Sequence, residues 1–181
     1  MSYHHPAPTG RLRLRPCSLA DAPFFLELLN RPEWLDNIGN REVYNLAAAE
    51  DYIADKILPA YKQAGVGNWM VERKSDGTCL GCVGVYVRPG LDAPDFGFSF
   101  LAEHHGQGYA LEASYSARAF AVANGIKELK AITLPTNQPS LRLLDKLGFI
   151  KEGRILLPDD DAELVVLRWR TNATDEENAR S

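Results

Sequence analysis

The sequence lacks the features of several protein classes. It has no long basic run, and the formal net charge of its 181 residues is −4, so we expect no nucleic-acid partner. No stretch approaches the roughly 18 consecutive apolar residues that a membrane span needs. The first residues have neither the basic nor the apolar segment of a signal peptide. These absences predict a soluble cytoplasmic protein with no membrane partner.

Cysteine is also scarce. Cys17, Cys79 and Cys82 are odd in number, which fits a reducing compartment better than a disulfide framework. Cys79 and Cys82 have C-x-x-C spacing, but no second cysteine pair or histidine pair completes a zinc site. They lie in a strand-like run, where positions three apart point to opposite faces. We therefore predict structural thiols and no metal.

The overall composition predicts a single domain. Hydrophobic residues make up 45% of the chain, enough for a single sizeable core. We predict a flexible polar lead at residues 1–10, one domain at 11–170 and a polar, disordered tail at 171–181. We find no internal repeat, and the protein could be a monomer or a homodimer.

Hydrophobic periodicity predicts a strand, two or three helices, three strands, a helix, a strand, a helix and two strands. Asp76-Gly77 is a strong hairpin signal between two of the strands. Two helices cross over between strands, so the order predicts an α/β fold with a mixed sheet. The predicted strands are 11–15, 68–74, 80–87, 93–101, 129–134, 149–152 and 163–170, and the helices are 19–30, a short one around Trp34, 46–63, 113–122 and one that begins at Asn137. Residues 159–161, three aspartates, are interpreted as a solvated turn.

Residues 104–113, which read His-His-Gly-Gln-Gly-Tyr-Ala-Leu-Glu-Ala, organise the chain. They lie between a strand-like run and an alanine-rich helix. Gly106 and Gly108 leave no Cβ to block a close ligand, and the free N–H groups of a helix start favour an anion. The loop therefore predicts binding of a phosphorylated ligand. It is not a Walker loop, because Tyr109 follows Gly108, and Leu111 replaces the third glycine of a dinucleotide fingerprint.

A second motif begins at Asn137, about thirty residues later. Residues 137–149 read Asn-Gln-Pro-Ser-Leu-Arg-Leu-Leu-Asp-Lys-Leu-Gly-Phe. Asn137 can cap a helix, Pro139 suits its first turn and Gly148 can end it. A capped amphipathic helix without a ligand is the alternative, but the two motifs in this order argue against it.

Together the motifs resemble the GNAT N-acetyltransferase superfamily, most closely its RimJ/RimL-type branch, over roughly residues 11–170. That family carries Gln/Arg-x-x-Gly-x-Gly/Ala after a strand, matched from His105 to Ala110 with His in the first place. It also carries Asn-x-x-Ser/Ala and then Lys-x-Gly-Phe, matched from Asn137 to Phe149. The resemblance implies a mixed, mostly antiparallel GNAT sheet flanked by helices, with acetyl-CoA between splayed central strands. It also implies transfer of acetyl to a primary amine, on a protein N-terminus or a small molecule.

The resemblance also implies site residues. The candidates for binding acetyl-CoA are Phe100, Leu101, His105, Gly106, Gln107, Gly108, Tyr109, Ala110, Asn137 and Ser140. The candidates for the acceptor pocket are Trp34, Asn37, Tyr44 and Tyr52, with core packing as the alternative for the aromatics.

The catalytic candidates are Ser140 and Glu112. Many family members use a Tyr seven residues after the Asn to protonate the thiolate; Leu144 stands there, and Ser140 is the nearest hydroxyl. The general base is open among Glu112, Glu103, Asp95 and His104, and Glu112 could instead compensate the helix dipole. Because these roles are not fixed, a non-catalytic acyl-CoA-binding sensor of the same fold is the alternative function.

Overall fold

The computed structural model of the protein describes residues 3–180; Met1, Ser2 and Ser181, at the ends of the predicted lead and tail, lie outside the described residues. Within residues 3–180 there are seven strands and six α-helices. The strands are β1 (Leu12–Pro16), β2 (Gly67–Arg73), β3 (Cys79–Tyr86), β4 (Asp95–Phe100), β5 (Glu128–Thr133), β6 (Ile150–Ile155) and β7 (Leu164–Arg170), and the helices are α1 (Ala22–Leu28), α2 (Pro32–Asn37), α3 (Leu46–Tyr52), α4 (Tyr109–Ala123), α5 (Gln138–Lys146) and α6 (Ala173–Arg180).

The strands form a single sheet in the order β1-β2-β3-β4-β5-β7-β6. Neighbouring strands are antiparallel except β4 and β5, which run parallel. The predicted mixed, mostly antiparallel sheet is thus confirmed, and so is the predicted order of elements from β1 to β7. None of the helices in the described part of the chain is long and apolar enough to cross a lipid bilayer.

The sheet is split between β4 and β5. Asp95 and Lys130 are the one residue pair that bridges these strands in the described chain, and the Lys130 N–H donates to the Pro94 carbonyl over 2.8 Å. Beyond that bridge β4 stays paired with β3 as far as Phe100, and β5 stays paired with β7 as far as Thr133. Two half-sheets therefore diverge from this junction toward the carboxyl ends of β4 and β5.

Charged side chains form ion pairs around the junction between β4 and β5. The Lys130 side chain is 5% exposed, and its Nζ lies 3.3 Å from Asp92 Oδ1 in the loop between β3 and β4. The same Nζ pairs with Glu152 on β6, which also pairs with Arg168 on β7. These contacts join the two half-sheets where they meet.

Helix α4 holds the half-sheets together on one face. Ala113, Ala117 and Ala121 are fully buried and four residues apart, so they form one stripe along the helix. Their small side chains let α4 lie close to the sheet. The core beneath it contains residues of both half-sheets, including Phe96 of β4 and Leu129 of β5.

A second hydrophobic cluster covers the other face of β2 and β3, under α1 and α3. Cys82 is buried in this cluster, and Cys79 packs against it. The sequence predicted that these two thiols point to opposite faces. That prediction is wrong because strand pairing shifts register between Val71 and Glu72, which adds an extra residue to β3 between the two cysteines.

Two helices differ from their predicted bounds. The helix predicted at 46–63 is α3 followed by a π-turn at Ile53–Ile57 and a 3-10 turn at Leu58–Lys62. Pro59 lies in that last turn and has no N–H to continue an α-helix. Helix α4 begins at Tyr109 and not at Ala113, because Gly108 already ends the loop in a left-handed conformation.

Described residues near both ends of the chain make contacts that the sequence did not predict. In the lead, the Ala7 carbonyl accepts a hydrogen bond of 2.5 Å from the Ser116 hydroxyl, which anchors it to α4. The tail, predicted to be disordered, instead forms α6, which lies against α4. Its first turn is capped reciprocally: the Asn172 side chain accepts from the Asp175 N–H, and Asp175 accepts from the Asn172 N–H.

Candidate active site

The loop between β4 and α4 has the backbone geometry of an anion site. Gly106 and Gly108 have φ angles of +74° and +81°, in the left-handed region that favours glycine. A Cβ added at Gly106 would have no atom within 4 Å, so the loop surface is open. The N–H groups of the first turn of α4 have no acceptor within the helix. They and the positive end of the α4 dipole are therefore available to a phosphate group.

Arg11, the residue just before β1, holds this loop. Its Nη1 donates to the Gln107 carbonyl over 2.9 Å, and its guanidinium lies 4.5 Å from the centre of the Tyr109 ring. Its Nε donates to Glu112 over 2.7 Å. These partners lie about a hundred residues away in sequence, so the local pattern does not predict them.

Glu112 has both carboxylate oxygens occupied. Oε1 accepts from the Thr9 hydroxyl at 2.5 Å and from the Arg11 backbone N–H at 2.9 Å, while Oε2 accepts from Arg11 Nε. Burial opposes ionisation of Glu112, but these hydrogen bonds outweigh burial and lower the pKa of the carboxyl below its ordinary value. A low pKa and filled lone pairs suit a structural tie between the lead, β1 and α4. We infer that role for Glu112 and not the catalytic role considered for it.

His105 ties the loop to the end of β4. Its Nε2 lies 2.8 Å from the Phe100 carbonyl, and the ring donates to that oxygen when Nε2 carries the proton. Leu101, the next residue along, donates its N–H to the Leu80 carbonyl of β3 over 3.0 Å. These two bonds fix the direction in which the chain leaves β4.

The edge of β4 that faces the split carries free backbone groups. Successive strand residues direct their N–H and C=O groups to opposite edges. Because Leu101 bonds to β3, the backbone groups of Phe98 and Phe100 point toward β5, with which neither is paired in the described chain. His105 occupies the Phe100 carbonyl, which leaves the Phe100 N–H and both groups of Phe98 for a ligand.

A cavity of about 610 Å³ opens on the face of the sheet opposite α4. Its walls come from α2 and the following loop, from β3, β4 and β5, from the start of α5, and from the turn before β7. The predicted residues that line it are Trp34, Asn37, Tyr52, Asn137 and Ser140.

Tyr44 is not among the residues that line this cavity. Its side chain is 65% exposed, and its hydroxyl accepts from Asn40 Nδ2 over 2.8 Å on the outer side of the loop before α3. Its place in the acceptor pocket was inferred from chain position alone, which does not determine the direction of a loop side chain.

Asp95 places a carboxylate in the cavity wall. It is 3% exposed, and its Oδ2 accepts from Arg88 Nε over 2.9 Å. Burial raises the pKa of Asp95 to about 6, although the Arg88 charge acts in the opposite direction. The other base candidates lie elsewhere: Glu103 forms a surface ion pair with Arg31, and His104 ends a 3-10 turn outside the cavity wall.

Helix α5 begins at the cavity. The Asn137 side chain accepts the Ser140 backbone N–H over 3.3 Å, so the predicted helix cap is confirmed. Ser140 and Leu144, one turn apart, both line the cavity. Because Asn137 serves as the cap, the Ser140 hydroxyl is not the capping group.

The three aspartates at 159–161 lie in the turn before β7, at the rim of the cavity. Within the described residues, no group of three or more His, Cys, Asp or Glu side chains comes together in a way that could hold a metal ion.

Comparison with known proteins identifies the family. Residues 11–150 match the acetyltransferase (GNAT) domain family. The chain belongs to the GNAT acetyltransferases. The GNAT resemblance of the two sequence motifs is therefore confirmed, and acetyl transfer is the activity that the family indicates.

Individual relatives agree with this assignment. An uncharacterized N-acetyltransferase of Bacillus subtilis, YoaA, is 25% identical over 147 residues, covering 80% of this chain and 82% of the relative. The crystal structure of an acetyltransferase from Agrobacterium tumefaciens is 26% identical, with a TM-score of 0.78 over 94% of this chain and 96% of that one. A ribosomal-protein-S5-alanine acetyltransferase from Vibrio fischeri shares the fold at 17% identity, with a TM-score of 0.75 over 93% and 97% of the chains.

The structural role of Glu112 can be tested with Glu112→Gln. Loss of charge-assisted hydrogen bonds should lower the free energy of unfolding at pH 7 by about 1–2 kcal/mol. Because the folded-state pKa of Glu112 is lowered, this contribution is present above the ordinary pKa and is lost as the pH falls through the lowered value. Urea unfolding at pH 7 and pH 3 should therefore show a difference from wild type that shrinks in acid. If Glu112→Gln kept the wild-type stability but lost most of its turnover, Glu112 would again be a catalytic candidate.

Proposed function

We propose that the protein is an acetyl-CoA-dependent N-acetyltransferase that acts on a primary amine. The observation that carries this proposal is the path defined by the glycine loop, the split between β4 and β5, and the cavity that contains Asp95, which follow one another along β4. One end of the path suits a pyrophosphate, the middle suits an amide-bearing chain, and the other end suits a reacting amine.

The backbone would recognise the cofactor. The N–H groups from Gln107 to Ala110 would hold the pyrophosphate at the start of α4. The pantetheine arm would lie beside β4, where its amides would pair with the free groups of Phe98 and Phe100 as an added strand does. The thioester would then enter the cavity, where the backbone N–H groups along the split could polarise its carbonyl.

The amine would approach from the outer opening of the cavity, between the loop that follows α2 and the turn before β7. Amines are protonated near neutral pH, so a base must take up a proton before or during attack. Asp95 suits this task because it is buried in the cavity wall and has a pKa near 6. The neutral amine would attack the thioester carbon, the carbon–sulfur bond would break, and the thiolate would leave.

The acceptor can be a protein N-terminus or a small-molecule amine, since both present the same reacting group. Thiol release from acetyl-CoA should be measured with a panel that contains both kinds of amine. Release that depends on one of them supports the enzyme and identifies its acceptor class. Tight acetyl-CoA binding without release across the panel would favour the non-catalytic sensor.

Acetyl-CoA should raise the melting temperature, because a ligand that binds the native state stabilises it. Gly108→Val should abolish most of that rise, since a β-branched residue disfavours φ near +81° and covers the loop surface. Gly125→Val is the matched control: Gly125 has φ +89° but lies at the far end of α4. The control should lose stability and keep the acetyl-CoA shift. If Gly108→Val kept as large a rise in melting temperature with acetyl-CoA as Gly125→Val, the loop would be only a turn.

Asp95→Asn should lower kcat/KM by about 10²–10⁴-fold, the usual contribution of a general base. In the wild type, activity should rise with pH through a limb near pH 6, where Asp95 ionises. The variant should lack this limb but keep the one set by the amine substrate. Persistence of the pH 6 limb in Asp95→Asn would assign it to another group.

Ser140→Ala should lower kcat by roughly tenfold or more with little change in acetyl-CoA affinity, if the hydroxyl assists departure of the thiolate. Stability should barely change, because the backbone N–H that Asn137 caps is retained. A folded variant with wild-type kcat would refute the catalytic role of Ser140.

A further inference from the structure

The Tyr86 ring lies flat on the sheet within the cavity wall. Tyr86 ends β3 and is paired across the strands with Asp95. Its ring lies over two glycines, Gly84 on its own strand and Gly97 on β4. A Cβ at Gly84 would clash with the phenol oxygen, and one at Gly97 would lie 3.1 Å from ring carbon Cε2. The ring can occupy this position because both residues lack a side chain.

Hydrogen bonds hold the ring in place. The Tyr86 hydroxyl donates to Asn68 Oδ1 over 2.9 Å. Asn68 is itself fixed, because it is 7% exposed and its carbonyl accepts from the Tyr61 hydroxyl and the Cys17 thiol. Burial raises the pKa of Tyr86 well above its ordinary value, so the phenol stays neutral and keeps this bond. The ring is thus a rigid surface.

This surface lies where the split closes. Gly97 is two residues beyond Asp95, the residue at which β4 meets β5. A ligand arm that filled the split from the glycine loop to its closed end would end beside Gly97, which the Tyr86 ring covers on the cavity side. The terminal group of such an arm would therefore meet the ring.

We propose that Tyr86 sets the acyl-chain specificity of the enzyme and restricts the transferred group to acetyl. The proposal rests on the function proposed above, because it assumes that an acyl-CoA occupies the split. A longer acyl group would have to displace the ring, which cannot sink into the sheet because the backbone of Gly84 and Gly97 lies directly beneath it. Displacement would also break the hydrogen bond to Asn68.

The test compares acetyl-, propionyl- and butyryl-CoA with one amine in wild type, Tyr86→Ala and Tyr86→Phe. Each methylene that a pocket rejects changes kcat/KM by about 10–200-fold. Wild type should therefore prefer acetyl over butyryl by about tenfold or more, and Tyr86→Ala should lose most of that preference. Tyr86→Phe keeps the ring but not the hydroxyl, so its preference should stay close to wild type.

Affinities of the three CoA esters, measured by calorimetry, separate this inference from the proposed function. Two results would overturn the role of Tyr86 without affecting the proposed function. One is a wild type that binds and turns over butyryl-CoA as well as acetyl-CoA. The other is a Tyr86→Ala variant that keeps the wild-type preference for acetyl. Failure of wild type to bind any of the esters overturns both. If Tyr86→Ala does not fold, Tyr86→Leu takes its place, because it removes the outer half of the ring. The ratio of kcat/KM for acetyl-CoA to that for butyryl-CoA then decides the test.

Discussion

The divergence of β4 and β5 leaves backbone hydrogen-bonding groups without strand partners in the middle of a sheet. Buried groups of this kind cost about 1–3 kcal/mol each when nothing satisfies them, so a gap inside a sheet must be open to water or to a ligand. The two half-sheets tolerate the gap because each is fully paired internally, up to Phe100 on β4 and Thr133 on β5. Helix α4 and the Lys130 ion pairs hold them together without closing it. A ligand that carries its own amides can replace the water at little structural cost.

The gap also divides the candidate site into two parts, one built mainly from backbone groups and the other from side chains. The proposed cofactor side is built from backbone: glycine dihedral angles, helix N–H groups and the free edge of β4. Side-chain identity matters less there, which explains how His105 can stand where relatives carry Gln or Arg and still fix the loop through the Phe100 carbonyl. The acceptor side is built from side chains on α2, on the loop after it and on the turn before β7. In the proposed enzyme, substrate choice would therefore reside in residues such as Trp34 and Asn37, which the fold itself does not dictate.

Local signals explain why much of the fold could be predicted from the sequence. The Asn137 cap, the glycine that ends the following helix and the period-2 strands each act over a few residues, and the structure confirms them. The tail helix α6 was missed because its composition suggested disorder, while the reciprocal cap between Asn172 and Asp175 is a weak local signal. Four candidates for the base, from Asp95 to Glu112, lay near the loop in sequence. Only the packing of loops and strands from distant segments distinguishes Asp95, and the same holds for Arg11 on its loop and for Tyr86 over two glycines.

The junction of the half-sheets also determines which chemistry the gap can perform. Asp95 is at once the one residue of β4 that bridges to β5 in the described chain and a carboxylate in the cavity wall. A slip of β4 by one residue would turn Asp95 toward α4, because strand side chains alternate between faces. The ion pairs of Lys130 with Asp92 and Glu152 oppose such a slip, since they join β5 to the loop before β4 and to β6. The pairing that ends the split therefore also holds the proposed base at the place where a ligand arm in the split must stop.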